Sequence, residues 1–468
     1  MNAFRCLGTA RFFPRASLKL NVLSRNVRTT ISPKPWGPNI LSRGFTSQYR
    51  STFRQTFVSA TRHFQAPKIS LSIPTRPFVQ RMVTMTNKVP VSTKVIRDVY
   101  THPAVGYWLI GIGAMVFAIV VIGGITRLTE SGLSIVEWNL VTGVRPPITQ
   151  AEWEEEFEKY KQFPEYKMLN KEKGMTLEEF KFIFFFEWAH RLWGRAIGAA
   201  FILPAAYFAY KGHMSKAVTK RVLALGGLLG FQGALGWYMV KSGLAHELVE
   251  NKGVPRVSQY RLTAHLASAF FLYLGCLLTG WDILRNAKLA KGGNQHLLAG
   301  INNPRLNFLR RSAIGLCALV LLTSFSGGFV AGLDAGMLYN EFPLMGGRLM
   351  PESNEIWSDN FARTGDSTKW RNIFDNPVTV QFEHRVLATS SLAAVTALYY
   401  YSKRLPLPKH ITTAVNAVVG MAVVQVTLGI TTLLYVVPVS LGAAHQGGSL
   451  ALLTTSLYLL HTLKRLPK

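Results

Sequence analysis

The sequence predicts an all-α membrane protein, with eight transmembrane helices forming two pseudo-symmetric four-helix bundles. Three observations predict it: eight apolar stretches of spanning length, a regular alternation in the charge of their connections, and an internal repeat. With 468 residues, 49% of them hydrophobic, the chain departs from the composition of a soluble globule.

The basic excess is concentrated at the N-terminus. Of the formal charge of +28, residues 1–97 supply 17 Lys and Arg and no Asp or Glu, leaving 35 basic against 24 acidic residues elsewhere. Arg5, Arg11, Arg15, Arg25 and Arg28 interleave with Phe4, Leu7, Phe12, Phe13, Leu18 and Leu20. Such an acid-free, Arg- and Ser/Thr-rich leader reads as a mitochondrial transit peptide followed by a basic matrix tail. A nucleic-acid-binding arm is the alternative reading of that charge, and no nucleic-acid partner is expected.

The eight stretches run roughly 104–126, 180–210, 218–240, 258–283, 309–332, 379–403, 411–436 and 440–463. A hydrocarbon core of about 30 Å demands about 20 such residues. None alternates as a barrel strand would, so all are read as helices. The second is long enough for its first turns to project beyond the bilayer.

Charge sets the orientation. Segments 211–221, 284–311, 403–410 and 464–468 carry 4, 6, 3 and 3 basic residues and no acidic one. Loop 127–179 carries 11 acidic against 7 basic residues, and loop 333–378 carries 7 against 4. By the positive-inside rule both termini face the matrix, and the acidic loops face the intermembrane space.

The repeat aligns the halves. Gly123-Gly124 recurs as Gly327-Gly328, and at the same offset Glu130, Gly132 and Glu137 match Asp334, Gly336 and Glu341. Gln232 and Gly236 recur as Gln425 and Gly429. Four helices per unit make the repeat parallel, unlike the inverted repeats of many transporters. The expected organisation is a leader and matrix tail over 1–97, a first bundle over 98–283, a matrix linker over 284–308, and a second bundle over 309–468. In loop 127–179, Thr149 and Glu152 resemble a capping box before Trp153, Phe157 and Tyr160. That predicts a short amphipathic helix on the membrane surface, with a solvated acidic face as the alternative. Tyr339 to Phe374 is expected to be irregular. Cys276 and Cys317 lie in apolar stretches and no CxxC spacing exists, so buried structural thiols are expected.

The chemistry rests on four histidines inside the apolar stretches: His190, His265, His384 and His445. His190 and His384 share a context, Glu187-Trp-Ala-His190-Arg191 and Gln381-Phe-Glu-His384-Arg385. All four helices enter from the acidic side, and their histidines lie roughly 8–15 Å in, so each pair can share a level. An intramembrane histidine needs a partner, and facing imidazoles can hold a haem iron between helices. Polar bonding across helices is the bland alternative, with zinc or copper a second. Gly194 and Gly198 beside His190, and Gly442, Gly447 and Gly448 around His445, open space for a flat cofactor or permit tight helix packing. Arg191 and Arg385 fit haem propionates; snorkelling or interhelical pairing is the alternative.

The halves differ at one turn. Glu187 lies on the face of His190, where the second half has Gln381. A carboxyl transfers protons or stabilises developing positive charge and an amide does not, so the first site reads as reactive and the second as a permanent electron-transfer haem. Structural pairing of Glu187 with an arginine is the alternative.

On GGITRLTESGLSIVEWNLVTG (123–143), EWAHRLWGR (187–195), RLTAHL (261–266), EHR (383–385) and AAHQ (443–446), the chain resembles the haem A synthase family of mitochondrial cytochrome c oxidase assembly. The resemblance implies oxidation of the C8 methyl of haem O to a formyl group through a hydroxymethyl intermediate, giving haem A. It implies haem O at His190 and His265 with Glu187 essential, and a resident haem B at His384 and His445. It further implies homo-oligomers, a matrix ferredoxin as electron donor, and haem O synthase and cytochrome c oxidase assembly factors as partners. Some bacterial members carry a cysteine pair in the first outer loop; residues 127–179 here contain none. Two rival readings are a two-haem b-type electron carrier, in which the sites behave alike, and a non-catalytic haem chaperone.

Overall fold

A computed structural model describes residues 100–139, 142–245, 255–290, 304–361 and 369–464. The expected leader, most of the expected linker and part of connection 241–257 lie outside these residues. Among the described residues the fold is helical, with one isolated β-bridge and no strand.

The helices longer than two turns are α1 (Pro103–Leu128), α2 (Gln150–Lys161), α3 (Leu177–Tyr210), α4 (Lys216–Gly243), α5 (Gln259–Ala290), α6 (Asn307–Gly332), α7 (Pro377–Lys403), α8 (Lys409–Leu434) and α9 (Val439–Thr462). Their starts follow local chemistry. Pro103 opens α1 and Pro377 opens α7 at positions where no N–H is needed, and Asn376 caps α7 by accepting from Val378 N at 3.0 Å. Thr176 and Glu179 form a reciprocal capping box at the start of α3. α5 continues to Ala290, so the first residues expected in the linker are helical.

Among the described residues six helices are long and apolar enough to cross a membrane: α1, α3, α4, α5, α8, and α6 counted from Pro304. α7 and α9 fall short of that measure. α9 is diluted by His445 and Gln446, and α7 by Gln381, Glu383, His384 and Arg385 together with the Ser, Thr, Tyr and Lys residues of its second half.

α1, α5, α6 and α9 form the centre, with α3 and α4 outside α1 and α5, and α7 and α8 outside α6 and α9. α1 buries Val105, Leu109, Ile112, Val116 and Val120 at helical spacing, and α5 buries Phe270, Cys276 and Leu277. The two backbones meet at Gly106 and Gly280, where a Cβ on either glycine would lie about 3 Å or less from the other's carbonyl oxygen. Phe182, Phe185, Leu203, Leu223 and Phe231 turn outward from α3 and α4, an apolar exterior suited to lipid.

Loop and helix ends repeat in detail. Glu130 after α1 and Asp334 after α6 are both left-handed, with φ of 54° and 53°. Asp334 accepts from Arg127 at 2.6 Å and Arg256 at 3.1 Å. α2 forms with its expected capping box at Thr149 and Glu152. Its apolar stripe packs on α3: Trp153 meets Phe184 at 5.0 Å, and Phe157 stacks on Phe180 at 4.9 Å. That packing explains the length of α3, whose first two turns serve the loop. Residues 339–374 contain only single helical turns among the described residues, as expected of an irregular loop.

Candidate functional site

Each of the four histidines rests against a glycine of a neighbouring helix. A Cβ on Gly123 of α1 would lie 3.1 Å from His190 Nε2 on α3, and one on Gly236 of α4 would lie 3.1 Å from His265 Cε1 on α5. Gly327 of α6 stands in the same way 3.2 Å from His384, and Gly429 of α8 stands 2.8 Å from His445. Any larger residue would push the rings. The imidazoles are half-buried.

The second pair is set for one metal between two rings. The centroids of His384 and His445 are 6.4 Å apart, with planes at 88°. An iron bound to two imidazoles by bonds of about 2 Å holds the ring centres roughly 6 Å apart. Ser326 Oγ lies 2.8 Å from His384 Nδ1 and donates its own proton to the Thr323 carbonyl at 2.8 Å. With that proton committed, the hydroxyl accepts from Nδ1–H, which leaves the Nε2 lone pair free as a ligand. Gln425 places its amide 3.1 Å from His445 Nδ1 and donates to the His445 carbonyl at 3.0 Å. Among the described residues no group of three His, Cys, Asp or Glu could hold a metal, and the two facing imidazoles are a donor pair that could flank a macrocycle-bound iron.

The first pair is less anchored. Gln232 donates to the His265 carbonyl at 3.2 Å, as Gln425 does in α8, but His265 Nδ1 is buried without a partner. Beside it Glu187 is 3% exposed and heavily bonded. Its Oε2 accepts from Ser134 Oγ at 2.7 Å and Ile135 N at 2.8 Å, and its Oε1 accepts from Arg191 Nη2 at 2.7 Å.

Gln381 occupies the matching place with the opposite polarity. Its Nε2 donates to the carbonyls of Ala335 at 2.9 Å and Leu338 at 2.6 Å. An amide can donate to carbonyls and a carboxylate cannot, so the loops above the two residues differ in which backbone groups they turn inward. Arg191 and Arg385 each reach the loop above: Arg191 donates to Ile135 O and Glu137 O, and Arg385 to Tyr339 O and Leu344 O. The structure thus commits both arginines to carbonyls, and Arg191 to Glu187, where propionate pairing was one expectation.

The flanking glycines divide between the two expected roles. A Cβ on Gly198 would meet nothing within 4 Å, which fits open space, whereas Gly442 and Gly447 pack on Leu128 and Val121 of α1. Cys276 and Cys317 are buried and unpaired.

Sequence reasoning missed Ser134, Ser326 and Glu165. Glu165 is 5% exposed, accepts from Tyr160 OH at 3.0 Å, and Asn170 donates to that hydroxyl at 2.7 Å. Burial pushes its carboxyl up to about 8, against the Tyr160 hydrogen bond, with Glu187 and Glu130 near enough to raise it further. A cleft of about 300 Å³ lies between loop 127–179 and α3, lined by Trp188, Arg191, Arg195, Glu152 and Pro147 among others. Nothing in an acid-rich loop distinguishes one buried glutamate from solvated ones.

Residues 106–457 match the COX15-CtaA family, described as cytochrome oxidase assembly protein. The Saccharomyces cerevisiae protein named Heme A synthase COX15 is 52% identical over 372 residues, spanning 78% of this chain and 76% of that one. The chain belongs to this family. The Homo sapiens Heme A synthase COX15 is 50% identical over 364 residues, covering 78% of this chain and 83% of its own. A Schizosaccharomyces pombe relative, 49% identical over 365 residues, is named Heme A synthase-mitochondrial ferredoxin fusion protein; the match covers 76% of this chain and 59% of that one. The COX15-CtaA match spans all four histidines, Glu187 and the loops 127–179 and 333–378.

Proposed function

We propose that this chain is a haem A synthase of the mitochondrial inner membrane, an oxidoreductase converting the C8 methyl of haem O to a formyl group through a hydroxymethyl intermediate. The conversion removes four electrons in two steps. The observation that carries the reading is the contrast at one position of matched sites, Glu187 against Gln381. A two-haem electron carrier has no need of that difference.

In this reading all eight long helices cross the bilayer as two pseudo-symmetric bundles, over 98–283 and 309–468. Both termini lie in the matrix, after a transit peptide and tail within 1–97. The matched helix neighbours, the paired left-handed turns and the four glycine–histidine contacts support it. His384 and His445 hold a resident haem B, which supplies one-electron transfer when bound. His190 and His265 hold the substrate haem O, and the unpartnered His265 Nδ1 suits a pocket that must release its product. Glu187, fixed by Ser134, Ile135 and Arg191, presents its carboxylate to take a proton or to stabilise positive charge developing beside the porphyrin. Arg191 and Arg385 tie the outer loops over the two sites. The fusion named in the fission yeast relative supports a ferredoxin as electron donor; docking of that donor on the basic matrix face, haem O synthase upstream and cytochrome c oxidase assembly downstream belong to the same reading. A homo-oligomer completes the proposal.

The test is mass analysis of haems extracted from purified protein. Wild type should yield haem B with haem O or its oxidised products. His190→Ala should lose the modified haem, and His384→Ala should lose haem B. Wild-type protein without haem B, or His190→Ala still containing formyl haem, would sink the reading.

A further inference from the structure

Gln446 directly follows His445 on α9, and its side chain leaves the second half. Its Nε2 donates to the Val120 carbonyl of α1 at 3.0 Å. Gly124 makes room for it: a Cβ there would come within 2.9 Å of Gln446 Cδ. The adjoining residue, Gly123, is the one against which His190 rests. One turn of α1, residues 120–124, therefore touches the second half through Gln446 and the first-half imidazole through Gly123.

The matching contact in the other direction is apolar. Leu266 follows His265 on α5 and packs on α6, where a Cβ on Gly328 would lie 3.4 Å from Leu266 Cδ2. Gly328 adjoins Gly327, the glycine facing His384. Both halves thus place the residue after one histidine beside the glycine pair that walls the other half's histidine. Only the contact from α9 to α1 is a hydrogen bond with a fixed direction, and its partner is an uncharged backbone carbonyl.

We propose that Gln446 is a positioning residue of the first-half site, acting from the second half. It fixes the α1 turn behind His190, so the posture of the His190 ring depends on a side chain of α9. This inference rests on the haem reading above. It adds a residue that touches neither proposed haem-ligating imidazole and a reason for the two halves to share a chain.

The experiment compares wild-type full-length protein with Gln446→Leu, which keeps the volume and copies the Leu266 arrangement. One neutral hydrogen bond is worth about 0.5–1.5 kcal/mol, which is roughly a two- to tenfold change in occupancy. The expected result is a two- to tenfold lower ratio of first-half haem to haem B, with haem B content unchanged. The reduction potential of the first-half haem should shift, and that of haem B should not. Gly124→Ala disturbs the same contact from the other side, so its effect and that of Gln446→Leu should be non-additive in the double variant. Unchanged first-half occupancy and potential in Gln446→Leu, full additivity, or loss of haem B in Gln446→Leu would each overturn the proposal. Absence of haem from wild type would instead overturn the reading on which it rests.

Discussion

Glu187 and Arg191, one helical turn apart on α3, form an ion pair at 2.7 Å while each also reaches the outer loop. Glu187 accepts from Ile135 N and Arg191 donates to Ile135 O, so a single loop residue is gripped by both ends of the pair. Arg191 gives Oε1 two donors and the loop gives Oε2 two more, so a reactive role for this buried carboxylate requires one of those four hydrogen bonds to give way. Replacing Glu187 with Gln, in imitation of Gln381, should lower haem A formation roughly a hundredfold or more while leaving haem B in place. Chromatography of extracted haems reads both quantities. Undiminished formyl haem would show that the carboxylate is dispensable.

Ser326 governs the second site through the His384 tautomer. Removing its hydroxyl in Ser326→Ala takes away the acceptor for Nδ1–H and frees the ring to turn. Loss of such an outer partner typically weakens metal binding about 10- to 100-fold. Haem B retained after detergent washing should fall accordingly, and its Soret band should broaden or shift. Full retention with an unaltered spectrum would mean that Ser326 does not set the ring.

Glu165 predicts a pH dependence of the outer loop. Its folded carboxyl titrates near 8 and its unfolded reference is 4.5, so the folded state holds the proton more tightly. The associated stabilisation is complete below about 4.5 and is lost as pH rises through about 8. The charged or titratable groups around it are Tyr160, Glu187, Glu130 and Arg127. Limited proteolysis of the loop in intact protein should therefore quicken between these limits, and Glu165→Gln should flatten the dependence. A profile identical in wild type and variant would remove Glu165 as its source.

The helices and the four histidines were legible because each depends on local pattern: apolar length, charge of the connections, and a repeat that needs no structure to align. α7 and α9 were found by that pattern although their site residues depress their hydropathy. What was illegible depends on contacts distant in sequence. Ser326 reaches His384 across 58 positions and Ser134 reaches Glu187 across 53, and a serine in an apolar helix or a loop carries no mark of its eventual partner. The partner of the α2 stripe was illegible for a related reason. An apolar stripe specifies that something is buried, not whether lipid or the first turns of α3 will bury it.

Gly429 offers the sharpest separation of folding from function. In a helix interior, Gly→Ala normally stabilises by roughly 1 kcal/mol, since alanine loses less backbone freedom on folding. At Gly429 the added methyl would stand 2.8 Å from His445 Cε1, closer than a carbon pair tolerates, so the imidazole must leave the position in which it faces His384. At Gly327 the corresponding distance is 3.2 Å, a crowding that a small ring shift relieves. Gly429→Ala should therefore express and resist thermal unfolding at least as well as wild type when haem is absent, yet lose most of its haem B. Gly327→Ala should retain a larger share. The measurements are haem-to-protein ratio and unfolding temperature on the same preparations. If Gly429→Ala bound haem B as wild type does, the close approach of α8 to the His445 ring would not be what holds that ring in place.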